Sequence, residues 1–174
     1  MKKLFFFSAV IICFVMGSAQ FSNSQSIGKF SVGLELGGTK ITSSSEEAYF
    51  NGGLNATYRA SENWALVAVG SYTTQALISF VEVTGNARYY PSPYEKVKFF
   101  GEAGLGTYSV QLTLFGIVGT QKTYLGMNVG GGALVSVTDK IDLIGKIKYH
   151  NPFISADDGK INWLNFTFGV NVGM

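Results

Sequence analysis

Few residues in this 174-residue chain are equipped for chemistry. Its one histidine, His150, could act as a general base, with Ser155 five residues on. No carboxylate stands at a spacing that marks it as the group orienting that histidine for nucleophilic catalysis. The acid pairs Glu46-Glu47 and Asp157-Asp158 fall in turn-rich stretches and read as solvated turns or weak cation contacts; a D-x-D-x-D-G calcium loop is missing. Gly130-Gly131-Gly132 is not followed by the G-K-S/T of a phosphate loop, so it reads as strand glycine that permits bending or close approach. Cys13 is the one cysteine and lies in the apolar leader, which removes disulfides, zinc thiolates and cysteine nucleophiles from the remainder. No catalytic, metal or cofactor-binding residue is therefore predicted. What remains is a set of nine charges: Glu35, Arg59, Glu82, Arg88, Lys98, Glu102, Asp142, Lys146 and Lys148.

The leader is Lys2-Lys3, an apolar run from Leu4 to Met16, and the small residues Gly17-Ser18-Ala19. It reads as a signal peptide, residues 1–19, cut after Ala19. The run is short for a membrane anchor, and Cys13 follows Ile12 where lipidation would want a small residue. The rest, residues 20–174, reads as one domain with 11 basic and 11 acidic residues, so no nucleic-acid partner is expected. The whole chain is 47% hydrophobic and only 14% charged, against about 25–35% charge on a water-facing surface. No later apolar run reaches the roughly 18 residues of a membrane helix.

The nine charges are positioned by a period of two. Eight segments of about ten residues alternate apolar with polar, the pattern of strands whose side chains point to opposite faces. One face reads Phe30-Val32-Leu34-Leu36, Phe50-Gly52-Leu54-Ala56-Tyr58, Trp64-Leu66-Ala68-Gly70-Tyr72 and Val81-Val83-Gly85-Ala87-Tyr89. It continues Val97-Phe99-Gly101-Ala103-Leu105, Leu125-Met127-Val129-Gly131-Ala133-Val135, Ile141-Leu143-Gly145-Ile147-Tyr149 and Leu164-Phe166-Phe168-Val170-Val172-Met174. No charge interrupts it; all nine lie on the opposite face. Connections at 61–63, 91–95 and 138–140 are tight. Those at 39–47, 75–78, 109–122 and 151–160 lie at the other end, and three of them are longer. Short turns at one end and long loops at the other are the mark of an outer-membrane barrel.

Lipid, rather than a ligand cavity, is the predicted neighbour of the apolar face. The polar face is rich in Gly, Asn, Ser and Thr, with the intruders Val67, Val69, Phe100, Leu134 and Ile144, which suits a crowded interior. Aromatic residues gather at both ends of the apolar face: Phe30, Tyr58, Trp64 and Tyr89 at the short turns, Phe50, Tyr72 and Tyr149 at the long loops. They form the girdles that meet lipid headgroups. Because a bilayer offers no hydrogen-bond partner to an open sheet edge, the first strand (28–38) must close on the last (161–174).

On these residues the chain resembles the small eight-stranded outer-membrane barrels of the OmpX/OmpA transmembrane-domain type, over essentially residues 20–174. It departs at Met174, where such barrels usually end on an aromatic residue read by the insertion machinery. The predicted fold is an all-β, eight-stranded antiparallel up-and-down transmembrane β-barrel with both termini in the periplasm. The resemblance also raises the lipid A deacylases, in which a serine follows the histidine by two residues; here that place holds Pro152.

So small a barrel has an interior just wide enough for its own side chains. The nine charges are accordingly predicted to plug the lumen as a salt-bridged network, since isolated buried charge is very costly. The expected role is non-enzymatic and structural or surface-interacting, through loops 39–47, 109–122 and 151–160. Ser43-Ser44-Ser45 and the apolar stretch Leu112–Val118 are its candidate contacts; the latter reads either as an extension of strands five and six above the membrane, offering edges to a partner, or as a loop lying on lipopolysaccharide. A narrow ion or small-solute channel is the first alternative and a lipid-A-modifying enzyme the second. Expected partners are outer-membrane lipid and lipopolysaccharide, the insertion machinery and an extracellular partner, with no cofactor.

Overall fold

The computed structural model describes residues 30–42, 48–75, 78–114, 117–154 and 161–174. The leader, Ser43-Ser44-Ser45, Glu46-Glu47, Ser155 and Asp157-Asp158 lie outside them. Eight strands follow in chain order: β1 (Phe30–Ile41), β2 (Tyr49–Arg59), β3 (Trp64–Gln75), β4 (Ile78–Tyr89), β5 (Val97–Leu114), β6 (Ile117–Ser136), β7 (Ile141–Pro152) and β8 (Trp163–Gly173). Each pairs antiparallel with its neighbours, and β1 closes on β8 from Ser31↔Gly173 to Ile41↔Trp163. Closure leaves no strand edge in the hydrocarbon, which is why the chain can carry an apolar exterior.

The alternation sorts the side chains inside out. Leu34, Leu54, Leu66, Val83, Phe99, Leu105, Leu125, Val129 and Phe168 are all at least half exposed, on the outer wall. Glu35, Glu82, Arg88, Lys98, Glu102, Lys146 and Lys148 are buried on the inner one. At the short-turn end the outer aromatics pair: Phe30 with Tyr58 at 4.8 Å between ring centroids, and Trp64 with Tyr89 at 4.9 Å. Phe50 and Tyr72 stand exposed at the opposite end, and Tyr149 there is half-buried.

Strand ends differ from expectation in three places. β1 starts two residues and ends three residues later than expected, at Phe30–Ile41, and β8 is shorter by two residues at its start and one at its end, at Trp163–Gly173. The connection expected at 75–78 is tighter still, with β3 ending at Gln75 and β4 starting at Ile78. Of the two readings of the connection at 109–122, the structure takes strand extension: β5 and β6 continue, paired through Val110↔Lys122 and, past a register shift, to Leu114↔Ile117. The physical reason is that the β-branched content persists there (Val110, Thr113, Ile117, Val118, Thr120, Thr123), and the β5–β6 ladder needs no lipid to sustain it. β5 and β6 reach 18 and 20 residues against 11 or 12 in the other six, so a two-stranded ribbon stands above the barrel.

Candidate functional site

The inner wall is built in three layers. At the long-loop end, Ile41, Tyr49, Phe80, Tyr108 and Trp163 form a buried apolar lid, with Val110 and Ile161 packed on it. Trp163 is its centre, 5.2 Å from Phe80 and 5.4 Å from Tyr108 between rings. At the short-turn end, Ala65, Tyr90, Phe100, Leu134 and Ile144 form a buried apolar floor. Two cations lie on that floor: Arg59 4.3 Å over Tyr90 and Arg88 4.2 Å over Phe100. Such cation–ring contacts strengthen when desolvated, which these are.

Between lid and floor lies an ionic belt. Glu102 takes Arg88 on one oxygen, Nε at 2.9 Å and Nη2 at 2.7 Å, and Lys148 on the other at 3.2 Å. Lys146 lies 3.7 Å from that second oxygen and 2.8 Å from Glu35, so it bridges two acids. Glu35 further accepts from Asn55 at 2.8 Å and Thr167 at 3.3 Å. Lys148 also donates to Asn86 at 3.2 Å. Glu82 accepts from Ser71 and, at 2.8 Å, from Asn165. Glu35, Glu82 and Glu102 thus stand against Arg88, Lys146 and Lys148, a formally neutral belt. That balance matters because a buried ion is tolerated only when paired and hydrogen-bonded.

Six of the nine singled-out charges meet in this belt. The other three lie at the short-turn end. Arg59 donates to the carbonyls of Ser61 (3.2 Å) and Glu62, tying down the first turn. Lys98 is buried beside the floor, where Asp142 acts on it electrostatically.

His150 needs a correction. Its spacing in the chain offers no orienting carboxylate, but closure of the barrel brings Glu82 Oε2 to 3.1 Å from Nδ1, out of line for a hydrogen bond. Asn165 Nδ2 lies 3.2 Å from Nε2, and an amide NH2 only donates; the network therefore assigns Nε2 as acceptor and puts the proton on Nδ1, toward Tyr108 Oη at 3.4 Å. The ring stacks on Trp163 at 5.6 Å and 11°, and the residue is 1% exposed. The nearby hydroxyl, Ser71, donates to Glu82 rather than to the histidine. Among the described residues the histidine's ring nitrogens meet Tyr108 and Asn165, and no serine or threonine hydroxyl. Nor does any group of three or more potential metal ligands assemble among them.

The belt encloses a cavity of about 10 Å³ lined by Glu35, Ser71, Glu82, Lys146, Lys148 and His150 among others. That is roughly the space of a single water.

The lid was not legible as a lid. Tyr49, Phe80, Tyr108 and Trp163 share the parity of the polar face, so counting by twos from Asn165 or Glu82 could have placed them inside. The same count from Lys146 and Lys148 places His150.

A family model described as "Outer membrane protein beta-barrel domain" matches residues 7–173. No curated protein matches the chain in sequence. Among solved structures, it is similar to Neisserial surface protein A (19% identity, TM-score 0.70, covering 82% of this chain and 96% of that one). It is likewise similar to Ail, the attachment invasion locus protein of Yersinia pestis (13% identity, TM-score 0.61, covering 86% and 100%). A third is a major outer membrane protein of Thermus thermophilus (13% identity, TM-score 0.62, covering 86% and 100%). At these identities the likeness is one of fold.

Proposed function

The chain belongs to the outer membrane protein β-barrel family and is an outer-membrane protein, and from that membership we propose that it is a non-enzymatic barrel with a closed lumen that acts at the cell surface. The observation that carries this reading is the neutral ionic belt held between an apolar lid and an apolar floor, with room for about one water. A solute path needs a continuous wet column, and a hydrolase needs its histidine within reach of substrate. What supports a surface role is the β5–β6 ribbon. The β6–β7 ladder runs only from Gly126↔Pro152 to Ser136↔Asp142, while β6 begins at Ile117. Among the described residues, Ile117–Gln121 therefore ladders with β5 alone, and its other edge suits an extended segment of an extracellular partner. Two proteins of similar fold, a surface protein and an attachment protein by name, lie on the same side.

Export by residues 1–19, cleavage after Ala19, delivery by the outer-membrane insertion machinery and a lipopolysaccharide neighbourhood for the ribbon belong to the same proposal. The mass of the mature chain tests the cleavage, since it must begin at Gln20. Planar-bilayer recording tests the closed lumen: the expected trace is flat, and sustained, reproducible conductance would overturn it. Replacing the ribbon above Val110 and Lys122 with a tight turn should abolish attachment of whole cells to their partner surface without preventing insertion. His150→Ala should leave the lipid A acylation pattern unchanged; a changed pattern would favour the enzyme.

A further inference from the structure

The outer wall carries a groove of about 670 Å³ that the lumen chemistry does not use. It is lined by two rows of residues running across the strands. One row is Val172, Val32, Ala56 and Ala68, successive partners in the ladders of β8, β1, β2 and β3. The other is Val170, Leu34, Leu54, Gly70 and Val83, which continues onto β4. Ala56, Ala68 and Gly70 are the recessed floor: small residues flanked by Leu34, Leu54 and Val83, each more than half exposed. A Cβ at Gly70 would meet nothing within 4 Å, so the recess is open to the outside.

We propose that this groove holds one acyl chain of a glycerophospholipid from the periplasmic leaflet, at a fixed site distinct from the exchanging lipid annulus. The occupant follows from position. The groove is continuous with the hydrocarbon-facing wall, and its lower row begins one outward residue above the paired rings of Phe30 and Tyr58, at the short-turn, periplasmic end. Five strands at about 4.8 Å spacing make it about 19 Å long, and because barrel strands tilt by about 35–45° the rows run obliquely up the wall, the course of a slanted acyl chain. Its volume is in the range of about 300–1,000 Å³ typical of ligand sites. A convex barrel wall touches a lipid chain on one side only; here Leu34, Leu54 and Val83 add side walls, and dispersion contacts accumulate with each.

The test is native mass spectrometry of the detergent-solubilised, full mature barrel with added palmitoyl-oleoyl-phosphatidylethanolamine. The wild type is expected to retain one lipid. Gly70→Leu fills the recess and should lower the retained fraction by about tenfold, a loss of two or more methylene contacts. Gly101→Leu, an outward site on β5 where a Cβ likewise meets nothing within 4 Å, should retain the lipid as the wild type does. Unboiled gels check that each variant is folded, and Ala56→Leu replaces Gly70→Leu if that one is not. Equal retention by all three proteins, or equal loss from both variants, overturns the site.

Discussion

Glu102 is the residue on which the lumen's charge balance can be tested most directly. Glu102→Gln keeps the shape but removes one of three acids in a belt of three acids and three bases. The amide can still accept from Arg88 on one side, but on the other it turns an NH2 donor toward Lys148, 3.2 Å away, and Lys146, 3.7 Å away. Arg88 is fully buried, with no route to water. Leaving such charge uncompensated costs about 3–5 kcal/mol, and Arg88→Met, which strands Glu102 instead, should cost a similar amount. The double variant Arg88→Met/Glu102→Gln leaves Glu35 and Glu82 against Lys146 and Lys148, neutral again. It should therefore cost well under the sum of the singles, with a coupling of about 2–3 kcal/mol. Urea unfolding in lipid vesicles measures this, followed by tryptophan fluorescence, since Trp64 faces lipid and Trp163 the lumen. A Glu102→Gln cost below about 1 kcal/mol, or a cycle that simply adds, would refute the claim that the belt is held by balance.

The remaining expectations use the same assay or simple titration. Leu66→Arg and Val129→Arg, both 57% exposed on the outer wall, should each cost about 2–4 kcal/mol at mid-bilayer, while Gln121→Arg on the ribbon stays within about 0.5 kcal/mol; equal tolerance would contradict the lipid face. Gly37→Ala would put its Cβ 1.8 Å from the Phe166 carbonyl oxygen, so it should open the β1–β8 seam and cut folding yield, whereas Gly101→Ala should be neutral or gain up to about 1 kcal/mol. In the turn region outside the membrane, the hydrogen bond from Tyr94 to Glu62 holds that phenol above its usual value of 10. This turn-to-turn link is complete below the unfolded phenol's pKa and is lost as pH rises through the raised folded value. Glu62→Gln should bring the Tyr94 midpoint down, read by NMR of labelled tyrosine; an unmoved midpoint refutes the link.

What could be read from the chain, and what could not, divides along physical lines. Strand number, facing and closure were legible because period-two alternation is a local property. One count through Leu34, Glu35 and Leu36 already assigns a lipid and a lumen side. The girdles of Phe30, Tyr58, Trp64 and Tyr89 were legible for the same reason. Partners across the lumen were not: Glu82 and His150 are 68 residues apart in number, and only the accumulated stagger of the ladders from β4 to β7 brings them to 3.1 Å. The extent of β5 and β6 was half legible: Leu112–Val118 reads equally as strand extension or as a loop lying on lipopolysaccharide, because membrane thickness bounds a strand only where there is membrane. Above it, the pairing of Val110 with Lys122 continues on its own ladder.

Under the closed-lumen proposal the barrel still needs its charges, and register explains why. A slip of one residue in β7 would turn Lys146 and Lys148 from the lumen to the lipid wall. Near mid-bilayer each would cost about 2–4 kcal/mol, on top of stranding Glu35 and Glu102 inside. The apolar face alone gives weaker discrimination, since β7 carries Ile144 inside and Gly145 outside, a pair that a slip exchanges at small cost. The belt's function on this argument is to make wrong pairings costly rather than the right one strong. It follows that Arg88→Met/Lys146→Met/Lys148→Met/Glu35→Gln/Glu82→Gln/Glu102→Gln, which removes the belt's acids and bases together and strands none of them, should keep much of its stability yet fold to several gel species. A single sharp unboiled band for that variant would mean that the β-hairpin turns and seam glycines set register unaided.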